Sequence, residues 1–449
     1  MPGPRRARST EKRDRPDRSI SRILAGRALV GGQLRSVEIG IDDTGRILEV
    51  ARSLSGAPRR DVGDRVILPA ATDLHVHLRE PGGAGETIRS GTIEAALGGV
   101  TLVGDMPNNE PPVTSPERLA EKADLARGQA AVDILLYAAP LAPEAVPGLA
   151  RSAGALKLYV SPTTGIDRAL GPAELQALLV AASRYDLPVT VHAEAPARFK
   201  EDRPARTTAE WSAARPPAAE AEALGWLGRA PPAMRLHVAH LTLAEEIPAL
   251  RRAGRSFEVT PHHLLLSDAA GADTRAKVNP PLRARARRDA LWAAFARGEV
   301  PMLASDHAPH PQESKAEAFD RAPSGMPGLE TMLPLLLARV RSGTLSLEVL
   351  VRAACDRPAR WFGQPLGRIA PGHRANLLVV DFRARRTVEA SRLHAPCGWS
   401  AFEGREAIWP VEHWRDGVAV VEDGEYVGRA DGAVVVPEFS PAARAHRAA

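Results

Sequence analysis

Cysteine is almost missing from this 449-residue sequence: Cys355 and Cys397 are the only two. Two thiols cannot build a disulfide framework, so a reducing, cytoplasmic compartment is the default expectation. No run of 18 or more apolar residues occurs, which removes any candidate transmembrane helix and, with it, a membrane partner. The opening stretch MPGPRRARSTEKRDRPDRS is basic but has no apolar segment behind it, so it does not read as a secretory signal. No sign of charge dominates either, with 59 Lys+Arg against 54 Asp+Glu and a formal net charge of +5. Most of that excess lies in residues 1–20, where Arg5, Arg6, Arg8, Lys12, Arg13, Arg15 and Arg18 outnumber Glu11, Asp14 and Asp17. The remainder is close to neutral, which excludes a nucleic-acid footprint. Residues 1–20 read as a disordered basic tail.

What is present is ordinary in bulk and specific in pattern. Apolar residues make up 44% and charged ones 25%, as in soluble globular chains, and the length suffices for a large α/β core with a small satellite. Residues 21–67 carry short alternating runs (ILAGRALVGG, LRSVEIGID, GRILEVARS) broken by Gly and Asp-Thr-Gly turns, the pattern of half-buried strands. Over 68–365, β-rich runs alternate with helical ones. The strand candidates are 66–77, 99–106, 132–139, 154–160, 188–194, 234–240, 256–263 and 301–307. Between them, ERLAEKADLARG has Ser115 as N-cap and Pro116 at the first helical position. LAEEIPALRRA is also helical in period, with Pro248 expected to perturb or end it. Eight strands with intervening helices predict a (β/α)8 TIM-like barrel. Strand character returns over 366–438 (GRIAPGHRANLLVVDF, AIWPVEHWRDGVAVVEDGEYV, GAVVVPEF). These segments are expected to pair with the early ones in a small β-sandwich built from both chain ends, and 439–449 reads as a loose tail.

The chemistry lies in what ends the barrel strands, because those ends converge on one mouth. The first ends in His75-Val76-His77, the fourth carries Lys157, the fifth ends in His192, the sixth in His240 and the eighth in Asp306. Residues i and i+2 of a strand share a face, so His75 and His77 can grip one ion. Imidazoles with a carboxylate suit Zn²⁺, and also Co²⁺, Mn²⁺ or Fe²⁺. Lys157 is the odd member, since an ammonium beside divalent cations is disfavoured; a neutral amine or a CO₂-derived carbamate fits instead. Arg79, two residues past His77, offers a planar fork for a carboxylate, and Asn108 an amide at the end of strand two. By strand parity His237 falls on the face opposite His240 and reads as structural, while His263 and His307 read as groups that orient ligands. The tryptophans, Trp211 and Trp226 among them, are scattered and read as packing.

DLHVHLREPG, DMPN, LKLYVSPTTG, VHAE, HVAH, VTPHHLLL, VNPPLR, SDHAPH and GMPGLETMLPLLL, in that order, closely resemble the dihydroorotases of the amidohydrolase superfamily. GRIAPGHRANLLVVD resembles the superfamily's closing motif, with Asn376 where an Asp is more usual. The resemblance implies two Zn²⁺ per subunit: His75, His77 and Asp306 on the first, His192 and His240 on the second, bridged by hydroxide and carboxylated Lys157. It implies Asp306 as the catalytic acid and base. Arg79, Asn108 and His310 would hold the substrate carboxylate, Asn279 and the backbone at Pro327 and Gly328 the pyrimidine ring, and Thr163 and Thr164 a loop over the substrate.

The implied reaction is reversible cyclisation of N-carbamoyl-L-aspartate, a small molecule, to L-dihydroorotate plus water. A homo-oligomer, with association to aspartate transcarbamoylase, is the matching expectation for partners. Two rivals stand beside it. An allantoinase or dihydropyrimidinase (hydantoinase) would not be expected to carry Arg after HVHL, and a non-catalytic dihydroorotase-like subunit scaffolding aspartate transcarbamoylase would lack several ligands.

Overall fold

Four strands come first: β1 (Arg22–Val30), β2 (Gln33–Ile41), β3 (Ile47–Ala51) and β4 (Arg59–Pro69). In this computed structural model, which describes residues 19–200, 203–437 and 439, β1 pairs antiparallel with β2 and parallel with β4. The apolar run at 66–77 then divides. Its first part finishes β4, and after Ala70 its second part opens a different sheet as β5 (Ala71–Val76).

That second sheet runs β5, β6 (Val100–Asp105), β7 (Asp133–Ala138), β8 (Ala155–Tyr159), β9 (Val189–His192), β10 (Leu236–Val238), β11 (Ser256–Val259) and β12 (Met302–Leu303). Neighbours are parallel throughout. The two edges meet at a parallel bridge between Val76 and His307, where the His77 N–H donates to the His307 carbonyl at 2.7 Å. Asp73 clasps the same seam: its Oδ1 accepts from the backbone N–H of His75 and of Ser305, each at 3.1 Å. The (β/α)8 expectation therefore holds, and the continuous burial of β5 to β9 explains their nearly unbroken apolar runs.

Helix Pro116–Ala126 starts as its cap signal predicts, with the Ser115 side chain accepting from the Arg118 N–H. Pro248 behaves otherwise. It does not end a helix but opens one, Ile247–Arg252, because the first turn has no use for its missing N–H.

After the barrel, β13 (Leu377–Val380) pairs antiparallel with β4. Strands Glu412–Arg415, Val418–Glu422 and Glu425–Tyr426 extend the first sheet to eight. Leu24, Ile39, Ile41, Ile47, Ile67, Leu377 and Val379 make its buried core. GAVVVPEF departs from expectation. Val434–Val435 pairs with β7 of the barrel rather than with the early strands, anchored by backbone bonds such as Ile134 N–H to Ala433 O. Residues 1–18 of the basic tail and 440–449 of the C-terminal tail lie outside the described residues.

The two sheets are joined through buried polar groups. Asn376 donates from Nδ2 to Thr101 Oγ1 at 2.6 Å and accepts from the Asp416 N–H at 2.9 Å, so an amide serves where a carboxylate could only accept. Asp133, at the start of β7, takes Arg374, Arg415 and the Ala433 N–H together, and Arg374 also pairs with Asp416. Asp133→Ala leaves two largely buried arginines short of a carboxylate. It should cost about 3–5 kcal/mol, read as a lower urea midpoint; a change under about 1 kcal/mol, within the range of an exposed pair, would show the seam is dispensable.

Candidate active site

The barrel mouth is built where regular backbone stops. Among the described residues five non-glycines have positive φ, and three of them are Arg79 (60°), His240 (37°) and Asp306 (47°). Each lies just beyond β5, β10 or β12, where a left-handed residue turns the side chain inward at a cost of about 1–3 kcal/mol. Strand parity therefore does not govern these positions. Arg79 reaches the mouth by its kink; His237 meets Glu258 through its ring, whereas His240 does so through its backbone N–H.

The donor atoms come close together. Asp306 Oδ1 lies 3.3 Å from His75 Nε2 and 3.2 Å from His77 Nε2, Lys157 Nζ is 3.4 Å from His75 Nε2, and His192 Nδ1 is 3.0 Å from His240 Nε2. Donors about 2.0–2.1 Å from a shared tetrahedral ion stand about 3.3 Å from one another, so the first group has the spacing of a metal's ligands. His75, His77 and Asp306 form one of two such clusters among the described residues; Glu86, Glu94 and His307 form the other. His240 Nδ1 is buried without a hydrogen-bond partner. The donor set fits a divalent cation.

Outer groups fix how these rings point. The His75 Nδ1–H donates to Glu258 Oε1 at 2.6 Å and that of His77 to Asn108 Oδ1 at 2.6 Å, which turns both Nε2 lone pairs to the centre. Glu258 also accepts from His237 Nε2 at 2.9 Å, and His75 and His237 hold its carboxyl well below the usual range. Arg215 grips Glu194 at 2.6 Å beside His192. Burial lowers the imidazoles of His75 (to about 4), His77, His192 and His240, so all four are neutral near pH 7. Lys157, fully buried with no carboxylate against its Nζ, is lowered to about 8.

The cavity over these groups encloses about 150 Å³, and its wall includes Arg79, Asn108, Asn279, Thr163 and Thr164 as well as the six donors. Thr163 and Ile166 exchange backbone bonds at 3.0 Å, and Gly165 (φ 77°) packs so tightly on the Asn109 carbonyl that a Cβ would come within 2.7 Å. Three expected residues are not in the wall. His310 stands behind Arg79, its Nε2 3.2 Å from Nη2. Pro327 and Gly328 lie deeper, with the Gly328 N–H committed to His307 Nδ1 at 3.1 Å. Their place is taken by Pro323, Ser324 and Gly325. Lys277 and Lys315, both buried, pin that segment by donating to the carbonyls of Phe319, Asp320, Ala322, Pro323 and Gly325.

Sequence reasoning missed these lysines, Glu258, Glu194 and Tyr159, which also faces the cavity. Glu258 carried a signal, being an acid inside the apolar run SFEV. Two tryptophans do more than pack: Trp211 Nε1 donates to Asn279 Oδ1 at 3.1 Å and Trp399 Nε1 to the His310 carbonyl at 2.9 Å. His307 orients backbone, and His263 bridges Thr260 and the Pro280 carbonyl; neither touches one of the six donors through its ring.

A closed barrel with an imidazole–carboxylate mouth defines a class, and comparison agrees with it. The amidohydrolase family profile matches residues 66–403. The chain is 37% identical over 422 residues to a dihydroorotase of Halobacterium salinarum, covering 92% of this chain and 99% of that one. It is 32% identical to a dihydroorotase of Thermoplasma volcanium, covering 91% and 96%. Among solved structures, an L-hydantoinase (dihydropyrimidinase) of Arthrobacter aurescens superposes with a TM-score of 0.84 at 26% identity, covering 93% and 100%. This chain belongs to the amidohydrolase family, whose members are metal-dependent.

Glu258→Gln keeps the size of the group under His75 and removes its charge. Metal affinity should fall about 10- to 100-fold, measured by chelator competition; unchanged affinity would show that Glu258 serves folding alone.

Proposed function

We propose that this protein is a dihydroorotase, interconverting N-carbamoyl-L-aspartate and L-dihydroorotate in pyrimidine synthesis. The observation that carries this reading is Arg79, a buried guanidinium in the cavity wall whose Nη1 has no partner. A buried, unpaired donor of that kind calls for an anion, and a planar fork suits a carboxylate. A cyclic amide with an exocyclic carboxylate meets the demand, whereas hydantoin or dihydrouracil would leave the charge unpaired. The relatives named dihydroorotase support the same reading, at higher identity than the hydantoinase of similar fold.

In the hydrolytic direction water adds to the ring amide carbonyl, the C–N bond breaks, and the ring nitrogen departs with a proton. Asp306, beside both His75 and His77, takes the proton from water and returns it to the leaving nitrogen. Cyclisation runs the same transfers in reverse. Arg79 and Asn108, with His310 behind, orient the carboxylate while Asn279 and the Pro323–Gly325 backbone face the ring, so positioning carries part of the rate.

Two Zn²⁺ ions suit these donors. His75, His77 and Asp306 would hold one, His192 and His240 the other, with Lys157 as a bridging carbamate. The Lys157 ammonium gives up one proton to become the amine, the amine forms an N–C bond to CO₂ and a second proton leaves, so a cation is exchanged for an anion with two oxygens. Zinc in such a site supplies Lewis acidity and makes hydroxide available near neutral pH.

Arg79→Met should lower kcat/KM for dihydroorotate by about 2–4 kcal/mol, on the order of 30- to 1,000-fold, without affecting rings that lack the carboxylate. An equal fall for hydantoin, allantoin and dihydrouracil would contradict the assignment. Lys157→Ala should abolish activity and lower bound metal, with a short carboxylic acid restoring part of both; full activity in that variant would end the carbamate assignment.

A further inference from the structure

One polar group in the cavity wall has no part in the proposed reaction. Tyr159 follows Lys157 by two residues on β8, so it shares the inward face one step nearer the mouth. Its ring packs in a small buried cluster with Ala139 and Ile166. The residue is 5% exposed, and its hydroxyl is buried without a hydrogen-bond partner. Arg79 Nη1, in the same wall, is also left without a partner. Tyr159 and Arg79 line one cavity. A buried hydroxyl without a partner is a standing cost that a native fold rarely keeps unless a ligand relieves it.

We infer that the Tyr159 hydroxyl donates a hydrogen bond to the same substrate carboxylate that Arg79 grips, making it a further substrate-binding residue. The inference rests on the dihydroorotase reading and adds a specificity determinant to it. A carboxylate offers about four lone-pair sites on two oxygens and can accept from both donors at once. Burial also raises the phenol's pKa well above its ordinary value, so it stays a donor across the working pH range.

Tyr159→Phe removes one oxygen and keeps the ring. A hydrogen bond to a charged group is worth about 1.5–3 kcal/mol, so KM for dihydroorotate should rise about 10- to 100-fold with kcat changed less than about threefold. Dihydrouracil, which has no carboxylate, should be handled as by the parent enzyme. In an Arg79→Met background the same change should cost less than about threefold, since the two donors share one acceptor. The melting temperature of the substrate-free protein should hold or rise, because no internal bond is lost; a purely structural hydroxyl would lower it. An unchanged KM, a fall confined to kcat, or equal losses on both substrates would overturn the inference while leaving the dihydroorotase reading intact. Parent enzyme that does not turn over dihydroorotate would overturn both.

Discussion

Four imidazoles, a carboxylate and an amine cannot sit within a few ångströms of one another unless their charges are controlled. In water they would repel or titrate freely; at the buried barrel mouth, desolvation sets the outcome by disfavouring every charged form. The imidazoles stay neutral near pH 7, and burial lowers the lysine to about 8, so its ammonium gives up a proton more readily than a solvent-exposed one. Neutral imidazoles with lone pairs turned to the centre are the condition for taking up a cation. The surrounding fold serves that condition, from the Asp73 clasp joining the barrel edges to the Glu258 and Asn108 oxygens that hold the His75 and His77 protons outward.

Backbone strain is concentrated where this chemistry is assembled. Arg79, His240 and Asp306 all hold left-handed backbone, and each is bound on several sides. Arg79 donates to the Pro309 carbonyl at 3.3 Å, and His240 donates its own N–H to Glu258 at 3.3 Å. Substrate discrimination arises nearby by a similar logic. A guanidinium and a phenol are both left short of a partner, so a ring with a carboxylate gains what a ring without one cannot.

Much of this was legible in the sequence, for a physical reason. Parallel strands buried on both faces are short apolar runs, so a polar residue at the end of one is conspicuous, and His75, His77, Lys157, His192, His240 and Asp306 all stood out that way. All six wall a single cavity. Parity arguments, however, hold only inside a strand: β10 ends at Val238 and β12 at Leu303, so counting does not reach His240 or Asp306, although His237 is absent from the cavity wall that His240 joins. Loop positions were the least legible. Pro323–Gly325 takes the place expected for Pro327 and Gly328 because Lys277 and Lys315 reach it from elsewhere in the chain. Val434–Val435 joins the barrel because Asp133 and the first residues of β7, which precede its pairing with β8, receive it, a pairing that no local pattern reveals.

A pair of cations held at this mouth is what the proposed chemistry depends on. Anomalous diffraction at the zinc edge, on crystals of the purified protein, tests that directly. Such a pair predicts two peaks, one among His75, His77 and Asp306 and one beside His192 and His240, with electron density extending Lys157 beyond Nζ. An empty mouth, or a lone peak at Glu86, Glu94 and His307, would contradict it.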